Sequence, residues 1–183
     1  MKISPFGTNM DRMPRLAFRM MKLMFDIRDR LVSVGSLLDR FGIERGQTVV
    51  DYGCGTGSYL NQASKLVRPE GRVLALDVHE LAVEAVKKRS VREGWTNVIA
   101  LLTDGRKIPV PDETADIIYA LDMFHMVADP EAVLGELNRI CKKEGFLFID
   151  NGHQSRQKAR TKIISSGLWD IIEEPKRYHC CPK

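Results

Sequence analysis

VVDYGCGTGS, residues 49–58, is the stretch of this chain that decides its fold. An apolar run that ends in an acid is followed by three glycines at alternate positions, which predicts a buried strand, a tight turn and then a helix. Glycines have no Cβ and let the backbone approach a ligand closely, and the start of a helix offers unpaired N–H groups to an anionic group. The stretch therefore predicts a nucleotide-type binding site.

Two features separate this stretch from the glycine fingerprint of dinucleotide-binding proteins. Ser58 occupies the position of the third glycine in G-x-G-x-x-G. Asp51 places a carboxylate at the strand end just before the glycines, where it would repel a pyrophosphate. A ligand that carries an ammonium and a sulfonium would instead be attracted to this carboxylate.

From residue 46 onward, short apolar runs alternate with amphipathic helical patterns, which is typical of βαβ units. The predicted strands are rich in Val, Ile, Leu and Phe: Thr48 to Tyr52, Arg72 to Asp77, Val98 to Leu102, Asp116 to Leu121 and Phe146 to Asp150. Helices are predicted at residues 80–92 and 130–142, and residues 168–173 and 177–181 predict a closing hairpin around Pro175. The pattern predicts an α/β fold with a doubly wound, mostly parallel sheet and an antiparallel C-terminal strand.

Composition excludes several classes of protein. The chain has 183 residues and is 44% hydrophobic, which suits one packed domain and excludes a disordered chain, collagen or a disulfide-stapled miniprotein. The longest stretch without a charged residue, Tyr52 to Ser64, has 13 residues, well below the roughly 18 that indicate a membrane-spanning helix. No export signal is recognisable, and four cysteines without CxxC spacing predict reduced thiols. We therefore expect a soluble, cytoplasmic protein.

The first 45 residues have a helical pattern and no predicted strand. Apolar residues recur at gaps of three and four and predict a helix docked on the rest of the chain: Met13, Leu16, Met20, Leu23, Ile27, Leu31, Val34, Leu38 and Phe41. Phe18, Met21 and Phe25 lie on an adjoining face, so the apolar arc is wider than one docking surface requires. We expect an N-terminal helical lid over residues 1–45 and a ligand-binding domain over residues 46–183.

The chain resembles the class I S-adenosylmethionine-dependent methyltransferases, particularly the small-molecule branch that includes the ubiquinone/menaquinone C-methyltransferases. The resemblance covers about residues 40–183 and combines the glycine stretch with four further segments: Val73 to Asp77, Leu102 to Gly105, Asp112 to Leu121, and Asp129 through Arg139 with Gly145. It implies a Rossmann-like methyltransferase fold, S-adenosylmethionine as the cofactor and methyl transfer as the activity.

The same resemblance implies which residues hold the cofactor. They are Asp51, Tyr52, Gly53, Gly55, Gly57 and the backbone at Leu121 around the methionine part, Asp77 at the ribose hydroxyls, and Val78, Asp104 and Gly105 at the adenine. Two of them also have plainer interpretations from the residues alone. Asp77 could be a solvated strand-end acid, and Asp104 could form a turn beside Gly105. Their spacing from Asp51 favours the cofactor role.

His125 is the candidate acid/base residue. In the resembling family a histidine often follows the fourth strand, and an unperturbed pKa near 6.5 lets it take a proton at neutral pH. The alternative is a polar residue that packs at a helix start. Cys54 has no motif partner that would activate its thiol, and residues 179–181 with His153 match no usual zinc spacing. We therefore predict neither a nucleophilic cysteine nor a metal site.

Three functions remain open from the sequence. The first is methyl transfer to a small, apolar or aromatic acceptor beneath an adaptable roof of Met10, Met13, Met20, Met21 and Met24. The second is methylation of RNA or protein. In this case an anionic partner would be bound by the basic row of Arg12, Arg15, Arg19 and Lys22. The third is a non-enzymatic, cofactor-binding module that meets a partner or a membrane surface through the same basic helix.

DNA is not an expected acceptor. Asp122-Met123-Phe124 follows the predicted fourth strand, where amino-methylating nucleic-acid enzymes have an Asn/Asp-Pro-Pro-aromatic motif. That motif is missing here. The identity of the acceptor and the formation of a homodimer stay open.

Overall fold

Seven strands form one sheet in the computed structural model, which describes residues 14–31, 34–173 and 177–183. The strands are β1 (Thr48–Tyr52), β2 (Arg72–Asp77), β3 (Val98–Leu102), β4 (Ala115–Ala120), β5 (Cys141–Asp150), β6 (Trp169–Glu173) and β7 (Arg177–Pro182). Their order across the sheet is β3-β2-β1-β4-β5-β7-β6. Strands β1 to β5 run parallel, whereas β7 pairs antiparallel with β5 and with β6. The predicted α/β class and its antiparallel C-terminal strand are confirmed.

Strand β1 is the centre of the site-bearing half of the sheet, and all five of its residues are buried. It lies between β2 and β4. The chain leaves β1 toward β2 on one side and returns later to β4 on the other side. This reversal of strand order opens a crevice beyond the carboxyl ends of the strands, which is where open α/β sheets bind ligands.

Helices connect and flank these strands: α1 (Arg15–Leu31), a 3-10 helix (Val34–Arg40), α2 (Leu60–Val67), α3 (Glu80–Glu93), α4 (Pro130–Ile140) and α5 (Arg156–Ser165). The His79 side chain caps α3 by accepting a hydrogen bond from the N–H of Leu81. Asp129 caps α4, with Pro130 in the first turn where its missing N–H costs nothing. Both predicted helices are therefore present. Within the described ranges, no helix combines the length and the apolar character that crossing a bilayer requires.

Two elements depart from the sequence prediction. Helix α5 lies in a polar segment where the sequence pattern predicts no helix. Its buried residues are Ala159 and Ile163, and an apolar face of this width produces no recognisable helical periodicity. Strand β5 begins at Cys141, before the predicted start at Phe146, and the β4–β5 register shifts between the pairs Ala115–Cys141 and Ile117–Phe146. The predicted closing hairpin is confirmed by the β6–β7 pairing, and Pro175 lies outside the described residues.

Helix α1 contacts the domain through the face that carries Phe18, and not through the long apolar stripe that the sequence predicts to dock. Phe18 is 3% exposed, whereas Leu16 and Ile27 on the stripe are 71% and 50% exposed. The expectation that Ile27 is a core residue is therefore wrong. The predicted methionine roof is wrong at Met20 and Met24, which are 65% and 64% exposed and lie on the outer face of α1. Periodicity reveals both apolar faces but not which one meets the sheet, since that depends on the crevice beneath the helix. Met10, Arg12 and Met13 lie outside the described residues.

The segment that follows α1, residues 34–41, belongs to the core of the domain. Leu38 and Phe41 are 0% and 4% exposed and join a cluster on one face of the sheet. The Phe41 ring stacks on the Phe148 ring with their centres 4.1 Å apart. This segment is therefore part of the domain core, and among the described residues of the predicted lid α1 stays the candidate.

We expect Leu38→Ala to lower the free energy of unfolding by about 2–5 kcal/mol, because it removes a fully buried side chain and leaves a cavity. Ile27→Ala trims a half-exposed side chain and should cost less than about 1 kcal/mol. Urea unfolding followed by circular dichroism measures both values. Equal losses in the two variants would contradict the orientation of α1.

Candidate functional site

A pocket opens at the carboxyl ends of β1, β2 and β4, beneath α1. Its floor consists of residues 51–56 of the glycine stretch and residues 77–79 after β2. Residues 121–123 after β4 and Gly105 after β3 border the floor. Because these segments converge where the strand order reverses, the pocket lies where the sheet topology predicts a ligand.

Eight of the ten residues predicted to hold the cofactor line this pocket: Asp51, Tyr52, Gly53, Gly55, Asp77, Val78, Gly105 and Leu121. Gly57 lies outside the lining, and a Cβ on it would come within 2.8 Å of the Leu60 side chain, so it allows α2 to start close to the loop. Asp104 is exposed and also outside the lining. Its Oδ1 atom accepts hydrogen bonds from the N–H groups of Arg106 and Lys107 at 2.8 and 2.7 Å, as a turn-forming residue does.

The glycine stretch is held against β2. The N–H groups of Gly53 and Cys54 both donate to the carbonyl oxygen of Leu76, at 2.8 and 3.0 Å. Gly55 has a φ of +53°, and a Cβ placed on it would meet no atom within 4 Å. The loop is therefore fixed from below and presents bare backbone to the ligand space above it.

Asp77 is buried at the end of β2 and is bonded to the backbone of the loop. Its Oδ2 atom accepts from the N–H of Gly55 at 2.9 Å, and its Oδ1 atom accepts from the N–H of His79 at 2.8 Å. Burial raises the pKa of Asp77, and these backbone donors oppose the rise. Each oxygen has a second lone pair, so the carboxylate can also accept from two neighbouring hydroxyl groups of a ligand.

Asp51 is the most unusual group of the pocket. It is 2% exposed, and its Oδ2 atom has no hydrogen-bond partner among the described residues. Burial raises the pKa of Asp51 to about 8; the Tyr119 hydroxyl beside it opposes the rise, and the Asp77 carboxylate adds to it. Ionisation of a buried carboxyl group is costly, so Asp51 holds its proton near neutral pH in the ligand-free protein, and a ligand ammonium would stabilise its ionised form. The site therefore favours a ligand that carries a positive charge.

Arg28 is the one lysine or arginine among the described residues that line the pocket. Its guanidinium donates to Ser58 Oγ and to Asp29 Oδ1, both at 3.0 Å, and lies over the Phe25 ring. Asp29 in turn lies 3.6 Å from Arg89 of α3. These contacts connect α1 to the glycine stretch and to α3. Sequence reasoning missed Arg28, although its position three residues after Phe25 places it on the same side of the helix.

The upper walls of the pocket are apolar. Phe18 stacks on the His79 ring with their centres 4.4 Å apart, and Met21 and Phe25 continue this wall along α1, as the adjoining apolar face predicts. The segment that follows β4 and the start of α4 add four further apolar residues to the lining: Met123, Met126, Val127 and Val133. Thioether side chains adapt to irregular apolar shapes. The upper part of the pocket therefore suits an apolar or aromatic group beside a polar floor.

His125 lies next to the pocket, in the turn between Met123 and Met126, and is not part of the lining. Its Nδ1 atom is buried without a partner among the described residues, and its ring meets the His153 ring edge-on at 4.8 Å. Burial and the neighbouring His153 lower the pKa of His125, so its imidazole is neutral at neutral pH. Burial raises the pKa of the Cys54 thiol, so this thiol stays protonated and is a poor nucleophile.

The fold and the pocket together define the class of protein. A glycine stretch at a switch point, two buried strand-end acids and an apolar upper pocket are the features of class I S-adenosylmethionine-dependent methyltransferases, as the sequence resemblance implies. Residues 50–149 match the family model described as "Methyltransferase domain". This match covers more than half of the chain, and the chain belongs to that family.

Solved structures and a curated relative agree with this classification. An S-adenosylmethionine-dependent methyltransferase from Aquifex aeolicus is 28% identical, with a TM-score of 0.69 over 80% of this chain and 87% of that one. A TehB-like S-adenosylmethionine-dependent methyltransferase from Corynebacterium glutamicum has a TM-score of 0.74 over 93% of this chain and 100% of that one, and its 14% identity shows the fold alone. The ubiquinone/menaquinone biosynthesis C-methyltransferase UbiE of an Enterobacter species is 29% identical over 72% of this chain and 56% of that protein. The chain thus spans about half the length of such curated relatives.

We expect Asp51 to make the ligand-free protein less stable as the pH rises from about 4 to about 8. With its pKa raised to about 8, the folded protein retains a proton that the unfolded chain releases near pH 4, so stability falls by up to about 1.4 kcal/mol per pH unit in this window. Asp51→Asn removes this contribution. Between about pH 5 and pH 8, urea unfolding should show a smaller loss of stability in the variant, by about 2 kcal/mol or more.

The matched control for this measurement is Asp170→Asn, which changes an acid that is 72% exposed. It should leave the pH dependence of stability unchanged. The same pH slope in wild type and Asp51→Asn would show that Asp51 is ionised in the folded protein and would contradict the expectation.

Proposed function

We propose that the pocket beneath α1 binds S-adenosylmethionine and that the protein transfers the methyl group to a small apolar or aromatic acceptor. One observation carries the proposal: Asp51 is buried beside Asp77 at the floor of a pocket with apolar walls, and its Oδ2 atom has no hydrogen-bond partner among the described residues. A nucleoside that bears an ammonium satisfies both acids, whereas the pyrophosphate of a dinucleotide would be repelled by them. When bound, this cofactor supplies a methyl group that its sulfonium already activates.

In this proposal different pocket residues bind different parts of the cofactor. Asp51 receives the ammonium, Arg28 receives the carboxylate, and Asp77 accepts from the ribose hydroxyls. Val78 and Gly105 border the adenine, with Asp104 at the exposed rim. The remaining contacts are assigned to the backbone of Tyr52, Gly53, Gly55 and Leu121, while Gly57 shapes the turn into α2.

The apolar walls support a small apolar or aromatic acceptor. Phe18, Met21 and Phe25 of α1 line the same pocket as Met123 and Met126. The name of the UbiE relatives refers to quinone biosynthesis, which is the same chemical class of acceptor. A macromolecular acceptor has less support, because Arg28 is the one lysine or arginine among the described residues that line the pocket. Helix α1 then acts as the lid that excludes water from the transfer.

His125 is our candidate for the group that takes a proton from the acceptor. Its imidazole is neutral and is held in the turn between two methionines of the pocket wall. A neutral ring nitrogen can accept the proton that the acceptor loses as its new bond to the methyl carbon forms. In-line positioning by the pocket contributes the larger part of the rate.

Arg28→Gln should weaken binding of S-adenosylhomocysteine by about 10- to 100-fold, because a charge-assisted hydrogen bond contributes about 1.5–3 kcal/mol. Binding of methylthioadenosine, which lacks the amino acid part, should change by less than about threefold. Calorimetry with both ligands measures the difference. Arg15→Gln serves as the matched control, because it removes an exposed arginine of the same helix.

Comparison of the two ligands distinguishes failure of the proposed function from a different role of Arg28. Absence of S-adenosylhomocysteine binding in the wild type would overturn the proposed function. Equal weakening of both ligands by Arg28→Gln would show that Arg28 positions the lid and does not bind the carboxylate.

Wild-type protein with methyl-labelled S-adenosylmethionine and a cell extract should place label in the fraction that organic solvent extracts, with nuclease and protease treatment making no difference. His125→Gln should lower this transfer by about a hundredfold while the affinity for S-adenosylhomocysteine stays within about threefold. Scintillation counting of the extracted fraction and calorimetry measure the two effects. Label that disappears from the wild-type reaction after nuclease or protease treatment would identify a macromolecular acceptor instead.

A further inference from the structure

The outer face of α1 is apolar, and no described segment of the chain covers it. It consists of Leu16, Met20, Leu23, Met24 and Ile27, whose exposed fractions run from 50% to 71%. The opposite face of the same helix carries Phe18, which is 3% exposed above the pocket. Clusters of large exposed apolar side chains are uncommon on free protein surfaces and mark places of contact.

A row of basic residues runs along one edge of this apolar face. Arg15, Arg19 and Lys22 are spaced by four and three residues, so they share one side of the helix. In sequence, α1 contains five basic and two acidic residues. One of these acids, Asp29, is engaged on the inner side by Arg28 and Arg89.

Two carboxylates of α3 face the basic row. Arg15 lies 3.2 Å from Glu80, in a pair whose side chains are 70% and 51% exposed, and Glu84 is bonded to Lys88 of its own helix. Exposed pairs of this kind contribute little and exchange readily with other anions. The basic row can therefore bind an anionic surface.

We propose that the outer face of α1 docks on the surface of a membrane that contains anionic lipids. An amphipathic helix binds in the interfacial plane when its apolar side chains enter the headgroup region and its cations meet anionic headgroups. A second copy of this chain suits the face less well, because antiparallel pairing through the apolar residues would bring two basic rows along one seam. Like charges at that seam would repel each other.

In this docked state the outer face of α1 would contact the bilayer, while its inner face would cover the pocket. If the proposed function holds, an apolar acceptor dissolved in the bilayer has a short path to the pocket beneath α1. The docking itself does not depend on catalysis, so its test does not require an acceptor.

The test is co-sedimentation of the full chain with vesicles of phosphatidylcholine alone or mixed with phosphatidylglycerol. Wild-type protein should bind the mixed vesicles, and added salt should weaken binding because it screens the cationic row. Leu16→Gln combined with Leu23→Gln should lower the bound fraction at least about tenfold, and Arg19→Gln should weaken binding to the anionic vesicles by a smaller factor.

The matched controls are Val91→Gln, which changes an apolar residue of α3 that is 85% exposed, and Lys65→Gln, which removes an exposed charge of α2. Both should bind vesicles as the wild type does. Thermal unfolding and S-adenosylhomocysteine binding confirm that each variant is folded, and they also keep this test separate from the proposed function.

Three results would overturn the proposal. The first is no binding of the wild type to anionic vesicles. The second is equal loss of binding in the Val91→Gln control. The third is a wild-type dimer in analytical ultracentrifugation that becomes a monomer in the Leu16/Leu23 double variant, which would identify a second copy as the occupant.

Discussion

The burial of two carboxylates at neighbouring strand ends is the constraint on which the rest of this site depends. Asp51 and Asp77 are 2% and 9% exposed, burial raises the pKa of both, and the Asp77 carboxylate adds to the rise at Asp51. The parallel sheet enforces their proximity, because β1 and β2 pair side by side and end at the same edge. Asp77 is stabilised by backbone N–H donors of the glycine loop, whereas Asp51 has an oxygen that no described residue satisfies. The pocket is thereby complementary to a nucleoside that carries an ammonium.

Helix α1 lies over this electrostatic floor and contributes to the apolar part of the pocket. Arg28 lies in the pocket and contacts both Ser58 and Asp29, so a ligand carboxylate that engages Arg28 would also act on the seating of α1. The inner face of α1 supplies aromatic and thioether side chains, and its outer face supplies a second apolar surface beside a basic row. One helix can thus couple cofactor binding, exclusion of water and access for an apolar acceptor.

The sheet and its acids could be predicted from the sequence because both depend on local pattern. Buried parallel strands appear as short runs of apolar residues, and the predicted bounds of β1 and β2 agree with the structure. The orientation of α1 could not be predicted, since two adjoining apolar faces compete and the crevice that selects Phe18 over Ile27 is formed by distant segments. The role of Arg28 could not be predicted either, because its partner Ser58 lies 30 residues away along the chain and no local pattern connects the two. Helix α5 was missed because its buried face is too narrow to produce a period.

A crystal structure of the protein with S-adenosylhomocysteine tests the central claim, that the two buried carboxylates recognise the cofactor, most directly. The account predicts the amino nitrogen of the ligand within about 3.2 Å of an Asp51 carboxylate oxygen, both ribose hydroxyls bonded to Asp77, and α1 closed over the sulfur. A ligand seated in another crevice, or bound in this pocket with its amino group turned away from Asp51, would contradict it.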